Sequence, residues 1–375
     1  MRHVSVGRNF GRTTAGFITE DFMGALEFSV PYNNDPGTLT EIFKWKECNE
    51  NRIREIYLSG PQKYAGSGRI SPIQSFDDFA DAVNRIHREK IRVNLLLNSV
   101  CEGSDWYAPN VLNGTMDYLK RVFEDYGVEA VTIANPMYIR EVRRRFPGVE
   151  ICASVLADID CIDKAIIYKK AGADAITPDV NINRNLRLLK KIREKTGLEL
   201  KLMVNEGCLF KCPFRKFHFN YISHKSRNPG SDGNKGEDNV FSLNCIQLTK
   251  SDPAQLLKSG WIRPEDLGRY GEISTFFKLV GRTSSRSMIC RALEAYMQQA
   301  WDGDLLELMA GNLYSYGMSY LMHLDNRSLD AVGFFEKVTS CDRECIDCDF
   351  CGRLAGELIK RGVFTPEKIK DMGLK

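Results

Sequence analysis

No apolar run in this sequence approaches the roughly 18–20 residues needed to cross a bilayer as a helix. The first ten residues, Met1 to Phe10, lack the apolar core of a signal peptide, so a cytoplasmic protein without a membrane span is expected. Charge of one sign is scarce as well. The formal net charge is +3, and a total that small implies no field suited to nucleic acid or a membrane surface. Histidine is sparse, with five in the chain, and neither H-E-x-x-H nor G-x-S-x-G occurs. That removes two common hydrolase signatures.

What is present is an ordinary globular composition of 375 residues, 43% hydrophobic and 27% charged, long enough for a barrel of about 250 residues with additions. Twelve cysteines stand out. In a reducing compartment they are not expected to pair as disulfides, and metal or cluster ligation is the reading for those that crowd together. Cys152 and Cys161 read as plain buried residues, since free cysteine behaves as a small hydrophobe.

Eight short apolar runs alternate with helix-period segments: Leu26–Val30, Glu55–Leu58, Val93–Leu97, Ala130–Ile133, Glu150–Ser154, Ala175–Thr177, Leu200–Val204 and Phe276–Val280. The amphipathic stretches between them include Ser75–Lys90, Ile139–Phe146, Cys161–Ala171 and Asn185–Lys195. Alternation of this kind predicts parallel βα units. Eight units predict an α/β fold of the TIM type, a closed (β/α)8 barrel, with a doubly wound open sheet as the alternative. Gly127 and Gly172 each end a helical stretch just before an apolar run restarts, as expected of glycine at a helix C-terminus. The barrel is expected over 1–283, with a cysteine-containing insertion at 205–274 after strand seven. Within that insertion Arg227–Glu237 is rich in Gly, Ser and Asn and reads as a mobile loop. A helical, cysteine-rich extension is expected over 284–375, with residues 284–337 helical and a basic, helix-like end from Gly352 to Lys375.

Cys341, Cys345, Cys348 and Cys351 form a C-x3-C-x2-C-x2-C run. Four thiolates so closely spaced can wrap one [4Fe–4S] cluster, and zinc is the alternative at the same four positions. The C-x3-C-x2-C within it does not read as a radical-SAM motif, because little chain remains beyond it to build a barrel. Cys208 and Cys212 begin the insertion where strand seven ends, which predicts a second cluster site at the barrel mouth. Cys245 is the best third ligand, and Cys290, Cys48 and Cys101 are the candidates for a fourth. The alternative is a pair of structural or redox thiols.

Other candidates come from the same loop and from strand ends, since active sites of such barrels sit at the C-terminal face. His218 and Asp179 are candidates for proton transfer, and Asp179 serves equally as a helix N-cap. Arg215 and Arg282 are placed to hold an anionic group. Asn98 and Asn135 would face substrate, and Ser154 also follows a strand. The Gly66-Ser67-Gly68-Arg69 turn reads as an ordinary loop rather than a phosphate cradle. Arg140–Arg145 and Lys190–Lys195 read as solvated faces of outer helices.

The order of these segments resembles the peptidase U32 family, also called collagenase-like, from about Leu26 to Met309. Glu150-Ile-Cys-Ala-Ser154 followed by Ala171-Gly-Ala-Asp-Ala-Ile-Thr-Pro178 is similar to the family's P-x-L-x-A-S strand and the strand after it. Asn205-Glu206-Gly207-Cys208 lies where the family has H-G-x-x-C. Asn244-Cys245-Ile246 resembles D-L-C-L, and Lys278-Leu-Val-Gly-Arg282 resembles K-I-E-G-R. The family histidine is replaced by Asn205-Glu206, its glutamate by Val280, and the 341–351 run lies outside the common pattern. The resemblance implies a barrel with a [4Fe–4S] cluster on Cys208, Cys212 and Cys245, which with the 341–351 run makes two clusters expected in the chain. It implies oxygen-independent hydroxylation of a small molecule or RNA, a peptide substrate for members known as proteases, and a paired U32-like subunit.

Three functions follow as expectations. The first is an iron–sulfur-dependent redox enzyme, with Arg282 binding an anion, Asp179 or His218 moving protons, and an electron-donor protein as partner. The second is a U32-type peptidase, for which no evident Cys–His pair is visible. The third is a non-catalytic iron–sulfur carrier.

Overall fold

The computed structural model describes residues 25–61, 66–71, 74–101, 103, 105–227, 240–309 and 322–362. Among them, eight parallel strands close on themselves. They are β1 (Glu27–Pro31), β3 (Asn51–Ser59), β4 (Arg92–Leu97), β5 (Ala130–Ile133), β6 (Glu150–Ala153), β7 (Ala175–Ile176), β8 (Glu199–Met203) and β9 (Phe276–Lys278). Each pairs with its sequence neighbour, and β1 pairs with both β3 and β9, so the sheet has no open edge. This is the (β/α)8 barrel, and all eight expected runs fall on its strands. A two-residue strand, β2 (Glu47–Cys48), folds back on the start of β3. Asn49 and Glu50 between them both take positive φ, as a tight two-residue hairpin requires.

Helices α1 (Pro36–Phe43), α2 (Phe76–Arg88), α3 (Pro109–Glu124), α4 (Pro136–Arg145), α5 (Ile162–Ala171) and α6 (Leu186–Thr196) follow the first strands in turn. Asp35 caps α1 by accepting from the Gly37 amide at 2.9 Å. It also pairs with Arg286 at 2.7 Å, on α10 (Arg286–Gln298). That contact joins the helix after the last strand to the helix after the first and completes the outer ring. Gly172 ends α5 at φ +110°, where a Cβ would meet the Arg143 side chain at 2.8 Å.

The barrel interior is layered. At the N-terminal end Arg54 pairs with Glu27 at 3.1 Å, Glu199 at 2.6 Å and Glu150 at 3.4 Å, and Arg92 joins Glu150 at 2.6 Å. Above this floor Glu55 on β3 accepts from Ser29 at 2.6 Å, Asn94 at 3.1 Å and Lys201 of β8 at 2.5 Å. Strands β3 and β8 are not neighbours, so this contact runs through the interior. Burial alone would raise the Glu55 carboxyl, but the Lys201 charge and these hydrogen bonds outweigh it and hold the group at about 2.

The insertion carries α7 (Arg215–Arg227), α8 (Val240–Ser251) and α9 (Ala254–Lys258). The expected mobile loop Arg227–Glu237 lies, beyond Arg227, outside the described residues. After α10 come β10 (Met322–Leu324), α11 (Ser328–Ala331), α12 (Phe334–Ser340), α13 (Phe350–Leu358) and β11 (Ile359–Arg361). The expectation that 284–337 is helical therefore fails at β10, which pairs antiparallel with β11. The helix-like end likewise stops at Leu358, and residues beyond 362 lie outside the description. Trp261 stacks on Phe334 at 5.3 Å, and one continuous hydrophobic core runs from the barrel to Leu354 and Ala355 of α13. Among the described residues no helix is long and apolar enough to cross a membrane.

Candidate active site

At the C-terminal ends of the strands a cavity opens with about 630 Å³ of free space, counting its open side. Tyr57, Asn98, Ser154, Met203 and Lys278 line it from strand ends, and Gly68, Arg69, Glu206, Arg215, Phe219 and Arg282 line it from the loops and α7. Strand alternation explains the inner set. In β9, Phe276 and Lys278 face inward while Phe277 packs outward against Tyr270.

Four cations, Arg69, Arg215, Lys278 and Arg282, meet one carboxylate, Glu206, in this lining. Arg282 donates to Ser59 and, at 2.5 Å, to Ser67. Burial pulls it down to about 10. Arg215 is 7% exposed, and among the described residues none of its three guanidinium nitrogens has a hydrogen-bond partner. Its nearest carboxylate is Asp158, at 3.9 Å. The Phe219 ring lies between Arg215 at 4.9 Å and Arg69 at 4.7 Å. A buried guanidinium held by one long ion pair and no hydrogen bond is under-satisfied and suits an arriving anion.

Glu206 is 3% exposed, lies 3.7 Å from Arg69 and accepts from the Cys208 thiol at 3.3 Å. Burial, then the Glu206 charge, pushes Cys208 up to about 12. The Cys212 thiol is hydrogen-bonded to Cys245. That contact, with the Phe214 and Arg215 amides and the Arg215 charge, brings Cys212 down to about 6 against the opposing effect of burial. The structure thus joins Cys212 to Cys245 and turns Cys208 toward Glu206.

The chain matches the model of peptidase family U32 over residues 41–235. A protein of Methanocaldococcus jannaschii described as uncharacterized protease MJ1657 is 32% identical over 344 residues, covering 89% of this chain and 99% of that protein. The chain belongs to peptidase family U32. Among solved structures, the U32 peptidase Mk0906 is 19% identical, covering 58% of this chain and 83% of that one at a TM-score of 0.49. A native KDPGal structure is 10% identical at a TM-score of 0.37, covering 73% and 93%.

The remaining candidates of this U32 chain divide by position. Asn98 lines the mouth, donating to Ser154 at 3.3 Å and accepting from the Gly68 amide at 3.1 Å. The Ser67 amide is bonded to Ser226 and the Arg69 amide to the Ser67 hydroxyl, so three amides of the 66–69 turn are engaged within the protein. Asn135 is not in the mouth. It caps α4 and bonds Tyr107. Asp179 caps a one-turn helix by accepting from Asn181 at 2.9 Å. His218 stacks between Phe219 and Phe241, and burial, then Arg69 and Arg215, lowers it to about 4. Neither Asp179 nor His218 belongs to the cavity lining.

Cys48 sits in the hairpin at the start of β3, the end of the barrel opposite the mouth. Cys290 lies in a separate cleft with Asp35, Glu41, Ser285, Arg286 and Ser287. Cys152 is buried as expected. Cys161 is partly exposed and occupies the N-cap of α5 instead. Cys101 lies 3.9 Å from His224, a Cys–His pair that a separation of 123 positions hides in the sequence.

In the tail, Cys341, Cys345 and Cys351 surround Arg343 closely enough for their charges to act on it, while Cys348 is exposed. The Arg343 amide donates to Cys341 Sγ at 3.3 Å. Beneath lies Arg184, which donates to the Leu257 carbonyl at 2.6 Å and stacks on Trp261 at 4.4 Å. Burial, then Arg343, lowers it to about 9. Among the described residues no three Cys, His, Asp or Glu side chains are gathered tightly enough to hold a metal ion. The donor sets are nonetheless of the right kind. The tail offers four thiols over buried cations that would balance their negative charge. Beside the mouth, Cys212 and Cys245 lie together with the Phe214 and Arg215 amides aimed at the Cys212 sulfur, and Cys208 is the third thiol.

Proposed function

We propose that this U32 protein is an iron–sulfur-dependent redox enzyme acting on a small molecule, or the end of a larger one, that carries an anionic group. The observation behind this reading is Arg215, buried without a hydrogen bond among the described residues, three positions beyond Cys212 and in the lining of a cation-rich cavity. Cys208, Cys212 and Cys245 would hold one [4Fe–4S] cluster, and Cys341, Cys345, Cys348 and Cys351 a second. When bound, such a group supplies one-electron chemistry and, at an iron without a protein thiolate, a site for a substrate atom. Arg215, Arg69 and Arg282 would fix the anion, Asn98 and Ser154 would orient its polar edge, and Phe219 would exclude water. Glu206 would accept the proton that Cys208 must lose to become a ligand. Oxygen-independent hydroxylation is the reaction this reading favours. It takes two electrons from the substrate, so it requires a co-substrate that donates its oxygen and is itself reduced, while an electron-donor protein would serve only to keep the clusters reduced.

Iron and acid-labile sulfide per chain, on protein purified without oxygen, test the reading. About eight irons, falling to about four when Cys341, Cys345, Cys348 and Cys351 are all changed to Ala, are expected. Zinc in place of iron would overturn it.

The Cys101–His224 contact favours a second reading, a cysteine peptidase, since a thiol beside an imidazole is the core of such a site. Peptide hydrolysis that survives chelation of iron and disappears in Cys101→Ala would establish it. Hydrolysis unchanged in that variant would exclude it.

A further inference from the structure

Two lysines enter the barrel from adjacent strands, and their surroundings differ. Lys201 on β8 is fully buried and held by Glu55 at 2.5 Å. It is a structural charge, neutralised in place. Lys278 on β9 sits one layer higher, is 7% exposed, and lines the mouth cavity. Among the described residues its side chain takes part in no hydrogen bond or ion pair, and its Nζ lies 4.0 Å from the centre of the Tyr57 ring. Tyr57 comes from β3 and its hydroxyl donates to the Leu279 carbonyl at 2.8 Å, so the ring is a fixed platform under the amine.

A buried ammonium without a carboxylate is costly, and the favourable alternative is the neutral amine. Burial first, then the neighbouring charges of Lys201 and Arg282, bring this amine down to about 8 despite the opposing pull of Cys152 and Glu55. A lysine that gives up its proton far more readily than a surface lysine, in a pocket reached by small molecules, is a nucleophile. The same cavity holds Arg215, which has no hydrogen bond among the described residues, and Arg69 and Arg282. A carboxylate paired with those guanidinium groups would leave a neighbouring carbonyl carbon within the same small cavity as the amine.

We propose that Lys278 forms an imine with a small carbonyl compound bearing an anionic group, 2-oxo acids being the simplest members of the class. In this step the Lys278 nitrogen attacks the carbonyl carbon, a C=N bond replaces C=O, and the carbonyl oxygen leaves as water with both amine hydrogens. No oxidant or reductant is consumed. The imine then draws electrons from the adjacent carbon and eases loss of a proton or carboxyl group there. This goes beyond the redox reading and shares with it only the anion-binding arginines.

The full chain is incubated with pyruvate or glyoxylate and sodium cyanoborohydride, then digested and mapped by mass. The expected result is a reduced adduct on Lys278, at least tenfold above any surface lysine and suppressed by excess sulfate. It should be absent in Lys278→Arg. In Arg215→Gln it should fall at least tenfold with the oxo acids yet persist with uncharged propionaldehyde, so the outcome does not hang on the folding of the lysine variant. Adducts spread over exposed lysines with Lys278 unmodified would overturn the proposal. A Lys278 adduct indifferent to sulfate and to Arg215→Gln would overturn its anionic class. Labelling needs no iron, so failure here leaves the metal analysis, and the redox reading, standing.

Discussion

Arg215 illustrates how a functional residue can oppose stability. Its buried guanidinium lacks hydrogen bonds, so Arg215→Met is expected to stabilise the chain by about 0.5–2 kcal/mol, as relief of site strain commonly does. The same change should weaken sulfate or phosphate binding by about tenfold or more. Thermal unfolding and titration calorimetry on the two proteins check both halves. A variant that binds as tightly as the parent would remove Arg215 from the anion site. His218 gives a pH signature. Its folded value of about 4 lies below the usual 6.5, so the unfolded chain binds its proton first. Its contribution is intact above about 6.5 and is lost as pH falls toward 4. His218→Gln should flatten that part of the stability curve. An imidazole NMR titration near 6.5 in the folded protein would contradict the burial argument.

At the scale of elements, the barrel was legible because its strands repeat one short apolar signal eight times with helices between. What escaped were features that depend on pairing across distance. Three-residue strands β10 and β11 exist only through each other, and neither carries a periodic pattern of its own. Cys48 was weighed as a mouth ligand, but the hairpin at Asn49-Glu50 holds it at the opposite end. Lys201, Lys278 and Glu55 sit inside apolar strands, where a charge is usually assigned to the solvent face. Only closure of the sheet reveals that those faces meet. The Glu55–Lys201 pair should behave as a buried ion pair does. Glu55→Gln or Lys201→Met alone is expected to cost about 3–5 kcal/mol, and Glu55→Leu with Lys201→Met to recover most of it. Denaturant unfolding of the three variants decides this. Because Glu55 is held at about 2 against an ordinary 4.5, its share of stability is complete above about 4.5 and lost as pH falls toward 2. The single variants should be less sensitive to acid in that window than the parent.

For the whole molecule, the tail is tied to the barrel by core continuity rather than by a linker. Arg343 donates to the Lys258 carbonyl at 3.2 Å, and Arg361 to that of Lys250 at 2.9 Å. A chain ending at Ser340 would leave β10 without a partner and uncover the side of α9 on which α13 rests. It is expected to unfold at lower temperature and to be cut by protease within the insertion sooner than the full chain. Equal resistance of the two would show the tail to be an independent appendage.

The floor of the barrel is made of charge where hydrocarbon would have served. Arg54, Arg92, Glu27, Glu150 and Glu199 form a partly buried lattice across five strands. Water's grip on ions weakens with heat, so the penalty for keeping them dry shrinks as temperature climbs. The barrel is thereby fastened at its base by a clasp that tightens under warming, at the end opposite the cavity that would take a ligand.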